Sequence, residues 1–287
     1  MKKAIKKGLV KIDGDIGFTG DHLKGGECIE IYQAIQQNIK PNISIKLEVI
    51  YEDDDLIALN KPFGLAVQGG TNTYRHIDGL LPALGTGLRL VHRLDRDTTG
   101  VLLIAKSAKA ASWSGRAFQS RRAEKVYWGI TNGTPKPGSG EIKGYMAKGR
   151  LDNRFGNVNE GKEVMMAVRH GTDGAKHART LYQTVSTAGS KAGWVAMQPL
   201  TGRTHQLRLH MQLLGAPIAA DPKYMTDRPL PGGLAEKLHL HARSLGLPRE
   251  GQPDLFLEAP LPDHMESAFD RLGFDKRTPL LPWDEMR

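Results

Sequence analysis

The chain has 287 residues, enough for one large domain or two unequal ones. Its 40 Lys and Arg against 31 Asp and Glu give a net charge of +9, and the pI is near 9.5, so a polyanionic partner is compatible with the chain but not required by it. A single cysteine, Cys28, excludes an intrachain disulfide, a CxxC redox pair and a cysteine-rich zinc site, and no apolar run approaches the roughly 18 residues of a membrane span.

The N-terminus, Met1-Lys2-Lys3-Ala4-Ile5-Lys6-Lys7, is not followed by a signal-length apolar core, so a soluble, unsecreted, cytoplasmic protein is expected. Lys2 to Lys7 reads as a short basic helix. Gly8 to Ile12 alternates and ends at the turn Asp13-Gly14, and Glu27 to Ile31 alternates as a second short strand. Gln33 to Ser44 turns polar and reads as a linker. Leu47–Tyr51 and Leu56–Asn60 flank the acidic turn Glu52-Asp53-Asp54-Asp55 as a hairpin ending before Lys61-Pro62-Phe63-Gly64.

Val101 to Ala105 is a continuous apolar run, expected to be a buried strand, and Ser107 is placed to cap a following helix. Glu124 to Ile130 reads as a strand with Lys125 and Tyr127 on one face and Val126, Trp128 and Ile130 on the other. Residues 144 to 180, Gly-rich and basic, are expected as loops or hairpins projecting from the core. Trp194 to Met197 is a further strand. Thr201-Gly202-Arg203 makes a turn before a helix from Thr204 to Leu214 that stops at Gly215. Hairpins with interspersed helices and no regular βαβ alternation point to an α+β fold.

Asp95 and Asp97, in Val91-His92-Arg93-Leu94-Asp95-Arg96-Asp97-Thr98-Thr99-Gly100, admit three readings. Either can cap a backbone amide in a turn, which suits Asp97 best. The pair also satisfies the DxDxT pattern of haloacid-dehalogenase-type phosphatases, although His92 and Arg93 interrupt the strand that pattern needs. In the third reading Asp95 serves a sugar C1′ centre as nucleophile or ion-stabilising carboxylate, which requires a cation to keep it ionised in a dry pocket. Arg208, beside the stripe Leu207, Met211 and Leu214, is the best donor, and a solvated surface arginine is its alternative. Tyr127 is a core aromatic or a stacking platform for a flipped base. Arg116, Arg121, Arg122 and Lys125 form a basic cluster around it, readable as an RNA contact or as a solvated face. The histidine pairs His205 with His210 and His239 with His241 lack helical zinc spacing, so packing or hydrogen bonding is expected and no metal.

His92-Arg93-Leu94-Asp95 with Thr98-Thr99-Gly100 resembles the HRLDxxTSG signature of RluA-type pseudouridine synthases, Thr99 standing where serine is usual. Asn60-Lys61-Pro62, Lys125 with Tyr127, Ala178-Arg179-Thr180 with Tyr182, and Gly202 to Arg208 with His210, Leu214-Gly215, Pro217-Ile218 and Asp221 match further blocks in order, and Leu240-His241-Ala242 resembles the closing one. Ala4-Ile5, Gly8-Leu9-Val10, Asp13-Gly14 and Leu23 to Gly26 resemble an S4 RNA-binding domain whose first helix is not matched. Gln68-Gly69-Gly70 and the S4 element resemble the subgroup acting on large-subunit ribosomal RNA.

The resemblance implies a pseudouridine synthase fold with a mixed, mainly antiparallel sheet over residues 47–287. Residues 1–33 would form an abbreviated S4-like module, joined by a linker over 34–46. It implies cofactor-free isomerisation of uridine in 23S ribosomal RNA, with Asp95 as catalytic carboxylate, Tyr127 stacking on the base and serving in deprotonation, and Arg208 as partner of Asp95. Arg93 is matched to the arginine that holds the displaced RNA backbone. His92, Lys61, Arg203, Arg116, Arg121, Arg122, Lys125, Lys6 and Lys7 are the further RNA-binding candidates. The alternative from another class is an RNA-binding ribosome assembly factor without turnover.

Overall fold

The computed structural model describes residues 10–16, 18, 28–31, 47–70, 75–150, 163–224, 228–249 and 251–286. The chain divides into two units, Met1–Lys46 and Leu47–Arg287. In the first, β1 (Val10–Ile12), β2 (Asp15–Ile16) and β3 (Ile29–Ile31) make an antiparallel sheet in the order β2-β1-β3. Asp13 and Gly14 both take positive φ, as a two-residue hairpin turn demands, and the Asp13 carboxylate accepts the Cys28 N–H at 2.8 Å. The expected helix Lys2 to Lys7, with Lys6 and Lys7, and most of the expected linker lie outside the described residues.

The second unit is built on one large sheet. In chain order its elements are β4 (Glu48–Glu52), β5 (Leu56–Lys61), α1 (Ile77–Leu84), β6 (Arg89–Leu90), β7 (Thr99–Ala105), α2 (Ala108–Gln119), β8 (Glu124–Asn132), β9 (Ser139–Arg150) and β10 (Glu163–Val168). There follow β11 (Lys176–Ala188), β12 (Ala192–Pro199), α3 (Gln206–Leu213), β13 (Leu240–Leu247), β14 (Leu255–Glu258), α4 (Asp263–Leu272) and a 3-10 turn at Trp283–Met286. The strands run β10-β9-β11-β12-β8-β13-β7-β5-β4, with β14 on β13 and β6 on β7. Pairing is antiparallel except for β13 with β7. Among the described residues no helix is long and apolar enough to cross a membrane.

The period-2 pattern of β8 and β12 decides what each face packs. Trp128, Ile130, Trp194 and Ala196 meet Met265 and Phe269 of α4, while Val195 and Met197 face Leu207 and Met211 of α3, with Tyr127 beside them. A third cluster joins Leu56, Ala58, Val101 and Leu103 to Ala110 and Ala117 of α2. Ser107 caps α2 by accepting the Ala110 N–H, as its side chain and position predict. Truncating a residue as enclosed as Phe269 to Ala is expected to cost about 3–5 kcal/mol.

Of the loops or hairpins expected over residues 144–180, the described residues form strands: β9, β10 and β11 pair antiparallel and continue the main sheet, with Gly144 and Gly149 inside the β9 ladder. Helices α1 and α4 were not anticipated, although the acidic first turn and the left-handed Gly273 after α4 are ordinary end signals.

The parallel contact between β7 and β13 depends on Gly100. Its φ is 106°, and a Cβ there would lie 2.2 Å from the Ala242 carbonyl oxygen. Only glycine permits that approach, which anchors β7 directly after the Asp95 loop.

Candidate active site

Asp95 lies in the loop between β6 and β7, and the loop is held from several sides. Its own turn closes with the Thr98 N–H donating to the Asp95 carbonyl at 3.2 Å. The Lys61 ammonium, fully buried at the end of β5, donates to the carbonyls of Pro62, Leu65 and Arg96 at 2.8 Å each. Burial pulls Lys61 down to about 7 against the opposing charges of Asp97 and Asp95. Three acceptors match the three N–H donors of the protonated form, which is the form that leaves no carbonyl unpaired. His92 stacks on Phe118, ring centres 4.6 Å apart, and its Nε2 accepts the Leu103 N–H at 2.9 Å. Burial lowers His92 to about 3, consistent with a neutral ring that accepts.

These contacts correct three expectations. Lys61 is not a surface cation available to RNA, because its donors are committed to backbone carbonyls. His92 borders the cavity, yet its ring is engaged in holding β7 and α2. Among the described residues no backbone amide donates to Asp97; its carboxylate accepts from Arg96 Nε and Nη2 at 3.0 and 3.3 Å.

A cavity of about 480 Å³ opens beside Asp95, bordered also by Tyr127, Arg208, Arg93, Arg203, Arg121, Lys125 and His205. Arg208 projects from α3 and is buried rather than solvated. Its Nε and Nη2 donate to the two oxygens of Asp221 at 2.7 Å each, and its Nη1 lies 3.7 Å from Asp95 Oδ2. Burial alone would lower Arg208, but the hydrogen bonds and charge of Asp221, with Asp95, carry it above its ordinary value. Asp221 also accepts the N–H groups of Lys223 and Tyr224. The guanidinium is thereby fixed with one edge presented to Asp95.

The start of α3 is set by a buried network. Gln206 Oε1 accepts from Thr201 Oγ1 and from the Arg203 N–H, while Nε2 donates to the Arg179 carbonyl and Thr180 Oγ1. Every polar atom of that side chain is used, so the Thr201-Gly202-Arg203 turn has one arrangement. Arg203 donates from Nε to the His177 carbonyl. His205 follows in left-handed backbone at φ 52°, which swings its ring toward Asp95, Nε2 to Oδ2 being 3.9 Å. The Tyr224 hydroxyl donates its proton to the Met165 carbonyl and lies 3.1 Å from His205 Nδ1, so we assign the ring proton to Nδ1 and a lone pair to Nε2. Burial lowers His205 to about 4, leaving the ring neutral near pH 7.

Tyr127 faces the cavity from β8. Burial, and after it the charge of Asp95, raises its pKa above the ordinary phenol range, so the hydroxyl keeps its proton. Thr99 is not a cavity group. Because His241 Nε2 lies against the Ala259 carbonyl and must donate to it, Nδ1 accepts from the buried Thr99 hydroxyl at 2.8 Å.

Asp95, Tyr127, Arg208, Arg93, Arg203, Arg121 and Lys125 are thus brought together, while Arg116 and Arg122 border a different cavity. Asp221, Tyr224 and Gln206 carried no assigned role in the sequence, and His205 was expected only to pack or hydrogen-bond. Asp221 left a signal: a carboxylate closing the apolar run Ala216 to Ala220 needs a cation once buried. Among the described residues no group of three His, Cys, Asp or Glu is placed to hold a metal.

Residues 55–213 match the RNA pseudouridylate synthase family. The chain belongs to this family. It is 38% identical over 186 residues to ribosomal large subunit pseudouridine synthase C of Rickettsia bellii, an alignment covering 64% of this chain and 58% of that protein. The corresponding Rickettsia felis protein is 33% identical over 241 residues, 78% of this chain and 75% of its own. Among solved pseudouridylate synthase structures, human RNA pseudouridylate synthase domain containing 4 superimposes with a TM-score of 0.65 at 31% identity, over 79% of this chain and 93% of that one. The human domain containing 1 protein gives 0.58 at 25% identity, over 84% and 92%. None of these pseudouridylate synthase likenesses supports the phosphatase alternative.

Proposed function

We propose that this pseudouridylate synthase family member isomerises uridine to pseudouridine in large-subunit ribosomal RNA. The observation that carries the reading is the Asp95 carboxylate, set in the cavity with the Arg208 guanidinium 3.7 Å away. Cleaving the C1′–N1 bond leaves positive character at C1′. A carboxylate serves that carbon by adding to it or by stabilising its charge, and the Arg208 guanidinium stands beside it as counter-ion. The freed uracil turns, C5 bonds to C1′, the C5 proton is lost and N1 gains one, so the reaction is a net isomerisation with no cofactor consumed. We assign Tyr127 to stacking on the uracil and to serving in deprotonation, the pKa of its phenol held above the ordinary range by burial and the charge of Asp95 until the reaction begins. Arg93, Arg203, Arg121 and Lys125 supply the positive border that an RNA strand with one base flipped out requires.

The large-subunit target rests on the names of the Rickettsia relatives and on Gln68-Gly69-Gly70. We assign residues 1–33 to an abbreviated S4-like RNA-binding module that includes Lys6 and Lys7, 34–46 to a linker and 47–287 to the catalytic domain. A cytoplasmic location fits the single cysteine. The test is to map pseudouridine in total RNA from cells with and without the gene, and to assay parent and Asp95→Asn on a large-subunit ribosomal RNA transcript. Positions lost with the gene, and turnover abolished in the variant while RNA binding survives, are expected. An unchanged pseudouridine map with RNA binding intact would favour an assembly factor instead.

A further inference from the structure

A second cavity, of about 390 Å³, lies on the far side of the C-terminal end of α2 from the catalytic one. Its border carries Lys109, Arg116, Arg122 and Arg249 against a single carboxylate, Asp55, and one aromatic, Trp113. Arg249 is already matched: its Nη2 lies 2.7 Å from Asp53, whose carboxylate is held well below its usual range, at about 2, by Tyr51, backbone N–H groups and Arg249 against the opposing effect of burial. Arg116 is oriented by a 3.0 Å hydrogen bond from Nη1 to Ser112 Oγ. Among the described residues Lys109, Arg116 and Arg122 make no ion pair. Three uncompensated cations around one concavity repel one another and focus a positive field into it.

The end of α2 joins this cavity to the catalytic one. The Arg122 N–H donates to the Ala117 carbonyl and the Arg121 N–H to that of Phe118, the Schellman pattern, which puts the residue after the cap in left-handed backbone. That residue is ordinarily glycine; here it is Arg121, at φ 62°. Its strain accompanies a division of side chains: Phe118, Gln119 and Arg121 border the catalytic cavity, while Arg116, Ala117 and Arg122 border the second. Two consecutive arginines therefore point to opposite sides of one ridge.

We propose that this second cavity binds the substrate RNA strand beyond the flipped uridine, its phosphodiesters lying on Arg116, Arg122 and Lys109. The inference rests on the reading of the catalytic cavity as an RNA site. The shared ridge makes the two sites neighbours along one strand, and three cations that make no ion pair among the described residues suit its phosphates.

The test compares the parent with Arg116→Gln/Arg122→Gln, both exposed positions, and with Lys276→Gln/Arg277→Gln, which removes equal charge at the C-terminal end. Affinity for a fluorescein-labelled oligouridylate is read by anisotropy over a salt series, and pseudouridine formation is read separately on a large-subunit ribosomal RNA transcript. At about 0.1 M salt the cavity variant is expected to bind roughly tenfold more weakly, with a salt slope smaller by about 1.4 for two lost single-strand phosphate contacts. Its KM should rise while kcat at saturation holds, and the control pair should behave as the parent. Should the double variant unfold, Arg122→Gln alone carries the same comparison with half the change in slope. Parental affinity and slope in the cavity variant would overturn the proposal. Absence of pseudouridine formation by the parent would overturn the catalytic reading instead and leave the binding comparison to decide the cavity.

Discussion

Arg208 and Asp221 form the tight ion pair of the catalytic cavity, two guanidinium nitrogens donating to separate carboxylate oxygens at 2.7 Å. The Asp221 side chain is wholly enclosed, whereas Asp95 is 22% exposed and 3.7 Å from the same guanidinium. Losing Arg208 therefore strands Asp221 more than Asp95. Arg208→Ala is expected to cost about 3–5 kcal/mol, as removal of one partner from a buried pair does. Asp95→Asn, which replaces a partly solvated carboxylate, should cost less than about 1 kcal/mol. Urea unfolding of both variants measures the order, and equal losses would show that Asp221 does not anchor the arginine. Arg208→Lys should also lose turnover, because an ammonium cannot make the fork to Asp221 while facing Asp95.

Lys61→Met separates a structural lysine from an RNA-binding one. Removing the ammonium leaves three carbonyls without their donor, at about 1–3 kcal/mol for each that water cannot reach. Stability should fall and the Asp95 loop should lose its tie at the Arg96 carbonyl. The salt slope of RNA binding should stay at the parental value. A slope smaller by about 0.7 would restore Lys61 as a phosphate contact.

How far the sequence disclosed the site depends on the kind of partner each residue has. The alternation in β8 was enough to put Tyr127 opposite Trp128, because a strand's two faces follow from its period. The carboxylate at Asp95 and the buried run of β7 were equally legible. Lys61 was not, because its partners are backbone carbonyls from three separate positions, which no residue type announces. The four cations Arg116, Arg121, Arg122 and Lys125 read as one cluster because their division turns on a left-handed residue at Arg121, where glycine would have been the visible cue. Asp221 was in view but without a role, since its pairing with Arg208 depends on how the loop after α3 returns.

The buried histidines predict the direction of pH dependence. Burial above all lowers His210, His239 and His241 to about 4 in the folded protein, from an ordinary value of 6.5. Between these values the unfolded chain binds more protons than the folded one, so stability is fully present above about pH 6.5 and is lost as pH falls toward 4. The slope is at most about 1.4 kcal/mol per pH unit for each histidine. Urea midpoints should therefore drop from about pH 7 to about pH 5, and His241→Gln should shed its share of that drop. A midpoint independent of pH over this range would mean that the rings are not enclosed as neutral groups.

Arg121→Gly should move stability and RNA affinity in opposite directions. Left-handed backbone costs an arginine about 1 kcal/mol that glycine does not incur, so the variant should gain roughly that amount through its relaxed helix end. The same change removes a cation from the border of the catalytic cavity, and binding of an RNA strand should weaken with a shallower salt dependence. Thermal unfolding and anisotropy on one preparation read both quantities. A variant that gains stability without losing affinity would mean that the strain at Arg121 serves no RNA contact. A variant that loses stability would show instead that the arginine side chain itself holds the end of α2. The two outcomes separate a residue strained for binding from one retained for packing.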